Sequence, residues 1–133
     1  MTRRPPAGRR GGRSDQGARA EELAAAYLAA RGFRTIARNW RRPEGELDLV
    51  AFDGTTCVFV EVRSRTGEEF GHPLEAITPR KRAQVIRAAR LFLDSETVAA
   101  EAFRFDVVGV LFSADDSEPP ICTHITDAFR VGE

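Results

Sequence analysis

Residues 45–65 read GELDLVAFDGTTCVFVEVRSR. Two apolar runs flank Asp53-Gly54, and Asp-Gly between such runs is a strong hairpin signal. Each arm also carries an acid inside its apolar run, Asp48 in the first and Glu61 in the second. A buried carboxylate without a partner costs several kcal/mol or takes up a proton to escape that cost. The pair therefore calls for partners, or for something cationic between them.

Strand side chains alternate between faces. Glu46, Asp48, Val50 and Phe52 share one face of the first arm, and Phe59, Glu61 and Arg63 share one face of the second. If residues 53–56 form a four-residue loop, Phe52 pairs with Cys57 and Asp48 stands opposite Glu61. If Asp53-Gly54 alone form the loop, Asp48 opposes Phe59 and Glu61 is its diagonal neighbour. Both registers put the two acids on one face, with Cβ atoms about 5–8 Å apart. Only a three-residue loop separates them. A hard divalent ion such as Mg²⁺ or Mn²⁺, held by one or two carboxylates plus phosphate oxygens, suits such a pair. Arg63, on the Glu61 face, would set a permanent positive charge beside a reacting phosphate. The competing reading is structural: Glu61 and Arg63 pair with each other and serve the sheet alone.

Upstream, Ser14 or Asp15 can cap a helix that runs to about Arg31, where Gly32 stops it. Its apolar stripe is Ala20, Leu23, Ala24, Tyr27 and Leu28; Glu22 points away from it, while Glu21 lies on its flank and can reach inward as a further acid. A strand follows over 33–42, then the two hairpin arms, 46–52 and 57–63. Beyond an irregular loop, Thr78 and Pro79 open a second helix reaching about Asp94, with Ala83, Ile86, Ala89 and Leu93 as its apolar positions and Val85 and Phe92 widening the face. Strands at 103–112 and 121–126 complete the order α-β-β-β-α-β-β. That order predicts an α/β fold, a central mixed sheet flanked by helices.

The length of 133 residues suits one domain, here 15–133, preceded by a basic tail over 1–14 that has almost nothing to bury and is expected to be disordered. Residues 1–16 hold five arginines against Asp15, a net of +4 that leaves the rest of this neutral chain at −4. Two basic segments interrupt that body, 31–42 and 78–90. The longest apolar run is far too short to span a bilayer, and no apolar stretch follows the N-terminal arginines, so no membrane role is expected. Cys57 and Cys122 form no metal-ligand pattern and read as reduced thiols of a cytoplasmic protein. His72 and His124 likewise lack zinc spacing. Arg80, Lys81 and Arg82 at a helix N-terminus oppose the helix dipole, a cost that phosphate contact would offset, and with Arg65 they are the candidates for gripping a nucleic-acid backbone. Arg41 and Arg42 follow by the same argument. Lys81 is the single lysine; the other nineteen basic residues are arginine.

The stretch quoted above resembles the signature of the YraN-like family, small bacterial proteins with the restriction-endonuclease-like fold, which is also similar to that of archaeal Holliday-junction resolvases. The superfamily motif, PD followed after a spacer by (D/E)xK, would fall on Asp48 and Glu61-Val62-Arg63. GARAEELAAAYLAARGFRTIARN resembles the family's first helix and strand, with Glu21 at its helix glutamate, and GHPLEAITPRKRAQVIRAARLFL resembles its second-helix region. The resemblance implies a Mg²⁺- or Mn²⁺-dependent endonuclease acting on structured or single-stranded DNA, with Asp48, Glu61 and Glu21 as metal ligands and a homodimer as the resolvase-like assembly. It departs at position 63, where the family pattern has lysine. Three explanations stay open: arginine keeps the activity, Lys81 reaches the site from the second helix, or the chain only binds nucleic acid.

Overall fold

A computed structural model describes residues 14–67 and 77–132. The order along the chain is α1 (Asp15–Ala30), β1 (Arg34–Arg42), β2 (Gly45–Asp53), β3 (Thr56–Thr66), α2 (Pro79–Ser95), β4 (Ala102–Phe112) and β5 (Ile121–Phe129). This is the α-β-β-β-α-β-β order expected from the sequence. The basic tail to Arg13 and the loop over 68–76, which includes His72, lie outside the described residues.

The five strands form one sheet in sequence order, β1-β2-β3-β4-β5. The first three make an antiparallel meander, β4 lies parallel to β3, and β5 returns antiparallel to β4. A parallel neighbour needs a crossover, and α2 lies within that connection. Strand alternation then sorts the apolar residues onto two faces. Val50, Phe52, Cys57, Phe59, Phe105 and Val107 pack with Val85, Ala88, Ala89 and Phe92 of α2. Leu49, Val58, Val60, Val108 and Val110 pack with Ala20, Ala24, Ala25 and Leu28 of α1. The sheet is thus covered on both sides, as a mixed sheet with two apolar faces requires.

Both helix starts follow the local signals. The Ser14 hydroxyl accepts the Gly17 amide at 2.9 Å, and the Thr78 hydroxyl accepts the Lys81 amide at 3.1 Å with Pro79 in the first turn. The buried stripe of α2 differs from the expected one. Ala83 is exposed and Ile86 is half-buried, while Val85, Ala88, Ala89 and Phe92 are buried. Phe92 decides this, because its ring meets Trp40 and Phe59 edge-on at 5.3 and 6.0 Å. On α1 the inward set adds Ala25 to the expected stripe, and Leu23 and Tyr27 are only half-buried. Strand β5 runs three residues past its expected end, to Phe129, whose ring stacks on Phe105 at 5.0 Å.

Candidate functional site

The hairpin register places the acids. Phe52 pairs with Cys57 and Asp53 with Thr56, so the turn is Gly54-Thr55, with Gly54 in the left-handed region at φ +63. Pairing continues to Leu49↔Val60 and stops there. One step further, the same register sets Asp48 opposite Glu61. There the Val62 amide donates to Asp48 Oδ2 at 2.8 Å, so the aspartate carboxylate serves as acceptor where the backbone ladder has ended. Opposite Asp48 in β1, Asn39 holds a positive φ of 49° between the pairs Trp40↔Leu47 and Arg38↔Leu49. The kink and the end of pairing coincide at Asp48.

Glu61 is buried to 4% of its exposed area, and two cations flank the same oxygen, Oε2. Arg63 Nη2 lies 3.7 Å away, from the same strand, and Lys81 Nζ 3.6 Å away, from the first turn of α2. Burial, then the charge of Asp48, push the Glu61 carboxyl up to about 8, against the opposing pull of Lys81 and Arg63. Burial also raises Asp48, partly offset by the Val62 amide and then by Lys81 and Arg63. In the absence of a metal, the Glu61 carboxyl is thus displaced towards its protonated form. Two adjoining carboxyl groups, each displaced towards its neutral form, make a place where a hard cation can replace protons.

Glu21 turns inward from α1 and is buried to 8%. Among the described residues, no three acids, histidines or cysteines stand close enough together to hold a metal ion. The geometry therefore brings together Asp48, Glu61, Arg63 and Lys81, while Glu21 forms no ligand group of three with the two strand acids. Glu46 pairs with Arg41 at 3.0 Å, and its charge also raises Asp48.

A cleft of about 300 Å³ opens at this end of the sheet, lined by the β1–β2 turn (Arg42 to Glu46) and by Lys81, Gln84, Val85 and Arg87 of α2. Of the expected phosphate contacts, Arg65 and Arg80 are exposed and Lys81 faces Glu61. Arg82 is turned otherwise: its Nε donates to the Ile77 carbonyl at 3.1 Å and its guanidinium lies 5.9 Å from the Phe129 ring. Arg42 lies over Trp40 and pairs with Glu96 at 3.6 Å.

A third buried acid was not anticipated. Asp106 is fully buried and accepts three hydrogen bonds, from Arg104 Nε (2.9 Å) and Nη2 (3.0 Å) and from the Asp127 amide (2.9 Å), and shares a fourth with His124 Nε2 at 2.8 Å. His124 is in turn held edge-on by Phe33 and Tyr27. The signal was present in FRFDVVGV, an acid inside an apolar run like Asp48 and Glu61. Its partners are supplied by a neighbouring strand and by a residue two positions earlier, which makes this cluster a structural staple for the β4–β5 bulge. Both cysteines are free thiols, Cys57 buried and Cys122 half-buried.

No helix among the described residues is long and apolar enough to cross a membrane. A model of the uncharacterised protein family UPF0102 matches residues 20–110. Similar chains include UPF0102 proteins of Pseudomonas aeruginosa (48% identical over 116 residues, 86% of this chain and 92% of the relative) and Chlorobium limicola (42% over 116 residues, 85% and 90%). One from Beutenbergia cavernae is 50% identical over 95 residues, 71% of this chain and 80% of the relative.

Proposed function

The chain belongs to the UPF0102 (YraN-like) family, and within that family we propose that it is a metal-dependent endonuclease that hydrolyses phosphodiester bonds in structured or single-stranded DNA. One observation carries the reading: Asp48 and Glu61 face each other where β2 and β3 cease to pair, Glu61 buried and Asp48 half-buried, both displaced towards protonation. That donor set fits Mg²⁺ or Mn²⁺, which take one or two carboxylates and leave their remaining positions to water and phosphate oxygens. When bound there, the ion would supply Lewis acidity towards the phosphoryl group and lower the pKa of a water.

The chain's own residues do the rest. The Val62 amide holds the Asp48 carboxylate in one orientation. Arg63 presents planar donors to non-bridging phosphate oxygens. In the overall step a water oxygen bonds to phosphorus while the bond from phosphorus to one sugar oxygen breaks. The water gives up a proton and the departing sugar oxygen gains one, leaving a phosphate monoester and an alcohol. Exposed Arg65 and Arg80 extend positive charge along the backbone path. The free thiols support a reducing compartment, so the reading places the protein in the cytoplasm.

The test is cleavage of labelled linear, single-stranded and branched DNA with Mg²⁺ or Mn²⁺, comparing wild type with Asp48→Ala. Metal-dependent cleavage that Asp48→Ala abolishes supports the nuclease. A second reading, an inactive nucleic-acid-binding module, draws support from the Arg63–Glu61 pair at 3.7 Å, an arrangement that needs no metal. It expects salt-sensitive binding in EDTA that ignores Asp48→Ala, and no cleavage.

A further inference from the structure

We infer that Lys81, on α2, is the lysine of this nuclease site, so that the ammonium role absent from strand β3 is carried by a helix. The inference rests on the nuclease reading above and adds a residue to it.

Three observations converge. The first is compositional. Nineteen of the twenty basic residues are arginine, so wherever a guanidinium suffices this chain supplies one. The exception falls within ion-pair distance of the buried Glu61. Arginine and lysine differ in ways that matter at a reacting phosphate: a guanidinium is a planar fork, whereas an ammonium is a compact charge with three rotatable donors that can contact one oxygen or one water closely.

The second observation is placement. Lys81 sits in the first turn of α2, two residues after Pro79, and its own amide is capped by Thr78 at 3.1 Å. The backbone that carries the ammonium is therefore fixed. Its Nζ reaches Glu61 Oε2 at 3.6 Å while the side chain keeps 27% exposure along the cleft wall. It thus faces the carboxylate on one side and the opening through which a phosphate would enter on the other.

The third is electrostatic. The first turn of α2 contains Arg80, Lys81 and Arg82 and no acid. Cations at a helix N-terminus oppose the dipole, whose positive end favours anions. Arg82 resolves this by bonding the Ile77 carbonyl. Lys81 resolves it by facing Glu61, and in the working complex a phosphate beside Glu61 would add to that relief. Arg63 and Lys81 then divide the work, with the fork of Arg63 clamping non-bridging oxygens and the Lys81 ammonium orienting the attacking water or the oxygen it approaches.

The experiment uses the full chain and single-turnover cleavage of branched and single-stranded DNA with Mn²⁺. Wild type is compared with Lys81→Ala, Lys81→Arg and the double variant Arg63→Lys/Lys81→Ala. Mn²⁺ affinity is measured on the same proteins by electron paramagnetic resonance. Lys81→Ala is expected to cleave about a hundredfold more slowly, the scale of one positioned catalytic group. Lys81→Arg should recover only part of that loss. The double variant should recover tenfold or more over Lys81→Ala, because it returns a lysine to the strand. Mn²⁺ affinity in Lys81→Ala should stay equal or rise slightly, since a cation beside Glu61 has gone.

Cleavage by Lys81→Ala within threefold of wild type overturns the inference and leaves the nuclease reading standing. Lost cleavage together with lost Mn²⁺ affinity also overturns it, because Lys81 would then only hold Glu61 in place. Should Lys81→Ala fail to fold, Lys81→Arg decides instead: full activity with arginine refutes any need for an ammonium. A wild type that cleaves none of these DNAs removes the nuclease reading, and this inference with it.

Discussion

Asp48 accepts the Val62 amide at 2.8 Å, across the hairpin and beside Glu61. The contact does two things at once. It satisfies a backbone donor at the point where β2 and β3 stop pairing, and it fixes one half-buried carboxylate against the buried Glu61. The same residue is therefore a structural acceptor and a source of electrostatic tension, and substitutions can separate the two.

Asp48→Asn keeps an oxygen acceptor for Val62 and removes the charge, whereas Asp48→Ala removes both. An unsatisfied buried amide costs roughly 1–3 kcal/mol. Asp48→Asn is therefore expected to be more stable than Asp48→Ala by about that amount in metal-free urea unfolding, followed by the fluorescence of Trp40, the only tryptophan. Both variants lose the proposed cleavage. Equal stabilities would mean that the Val62 bond contributes nothing in solution.

Stability without metal should fall as pH rises. In the folded chain the Glu61 carboxyl titrates near 8, against an ordinary value of 4.5, so between those values the folded state keeps a proton that the unfolded state has lost. The unfolded state then binds fewer protons, and stability declines with increasing pH. The contribution is complete below about 4.5 and gone once the pH has passed about 8. Its size should be on the order of a few kcal/mol. Glu61→Gln should flatten this part of the profile. Mn²⁺ competes with the proton, so its apparent affinity should increase from pH 6 to 8 in wild type. A melting temperature independent of pH over this range in metal-free wild type would contradict the assignment.

The parts of this molecule that local chemistry decides were readable from the chain. Ser14 and Thr78 cap helices through hydroxyls three residues from the amides they accept, and of the three turn lengths open to the hairpin, the observed register is one of the two that keep Asp48 and Glu61 on one face. Residues whose roles depend on distant partners were not readable. The face of α2 is chosen by Phe92 against Trp40 and Phe59, and these lie more than thirty residues away. Ala83 and Ala88 look alike in sequence and differ only in what lies across from them. Lys81 stood as one of three open explanations at position 63, and only the packing of α2 on the sheet brings its ammonium to Glu61.

Asp106 offers a contrast with the site acids, because it is buried with a full set of partners. Breaking a buried, hydrogen-bonded ion pair by removing one member costs about 3–5 kcal/mol. Asp106→Ala would strand His124 and the Asp127 amide and leave Arg104 only its longer contact with Asp53 at 3.4 Å. It is expected to lower stability by that amount in urea or thermal unfolding. Glu61→Gln should cost far less, since it removes a carboxyl already displaced towards its neutral form. The opposite ranking would show that the Asp106 cluster is dispensable.

Gly45 begins β2 against α2, and there the space for a side chain is nearly absent. A Cβ built at this position would lie 3.0 Å from the Ala88 Cβ and 3.5 Å from its Cα. Neither atom can swing aside as the end of a long side chain could, so helix and turn must separate. Overpacking of this kind costs roughly 1–3 kcal/mol. The same contact sets the distance between the β1–β2 turn and α2, the two walls of the cleft beside Lys81. Gly45→Ala is thus expected to lower the melting temperature and to reduce the proposed cleavage, although it touches neither Asp48 nor Glu61. Adding Ala88→Gly makes room for the methyl group, and the melting temperature should recover beyond what the helix penalty of glycine, about 1 kcal/mol, takes away. If the double variant is instead no more stable than Gly45→Ala, the close approach of turn and helix is not what Gly45 provides.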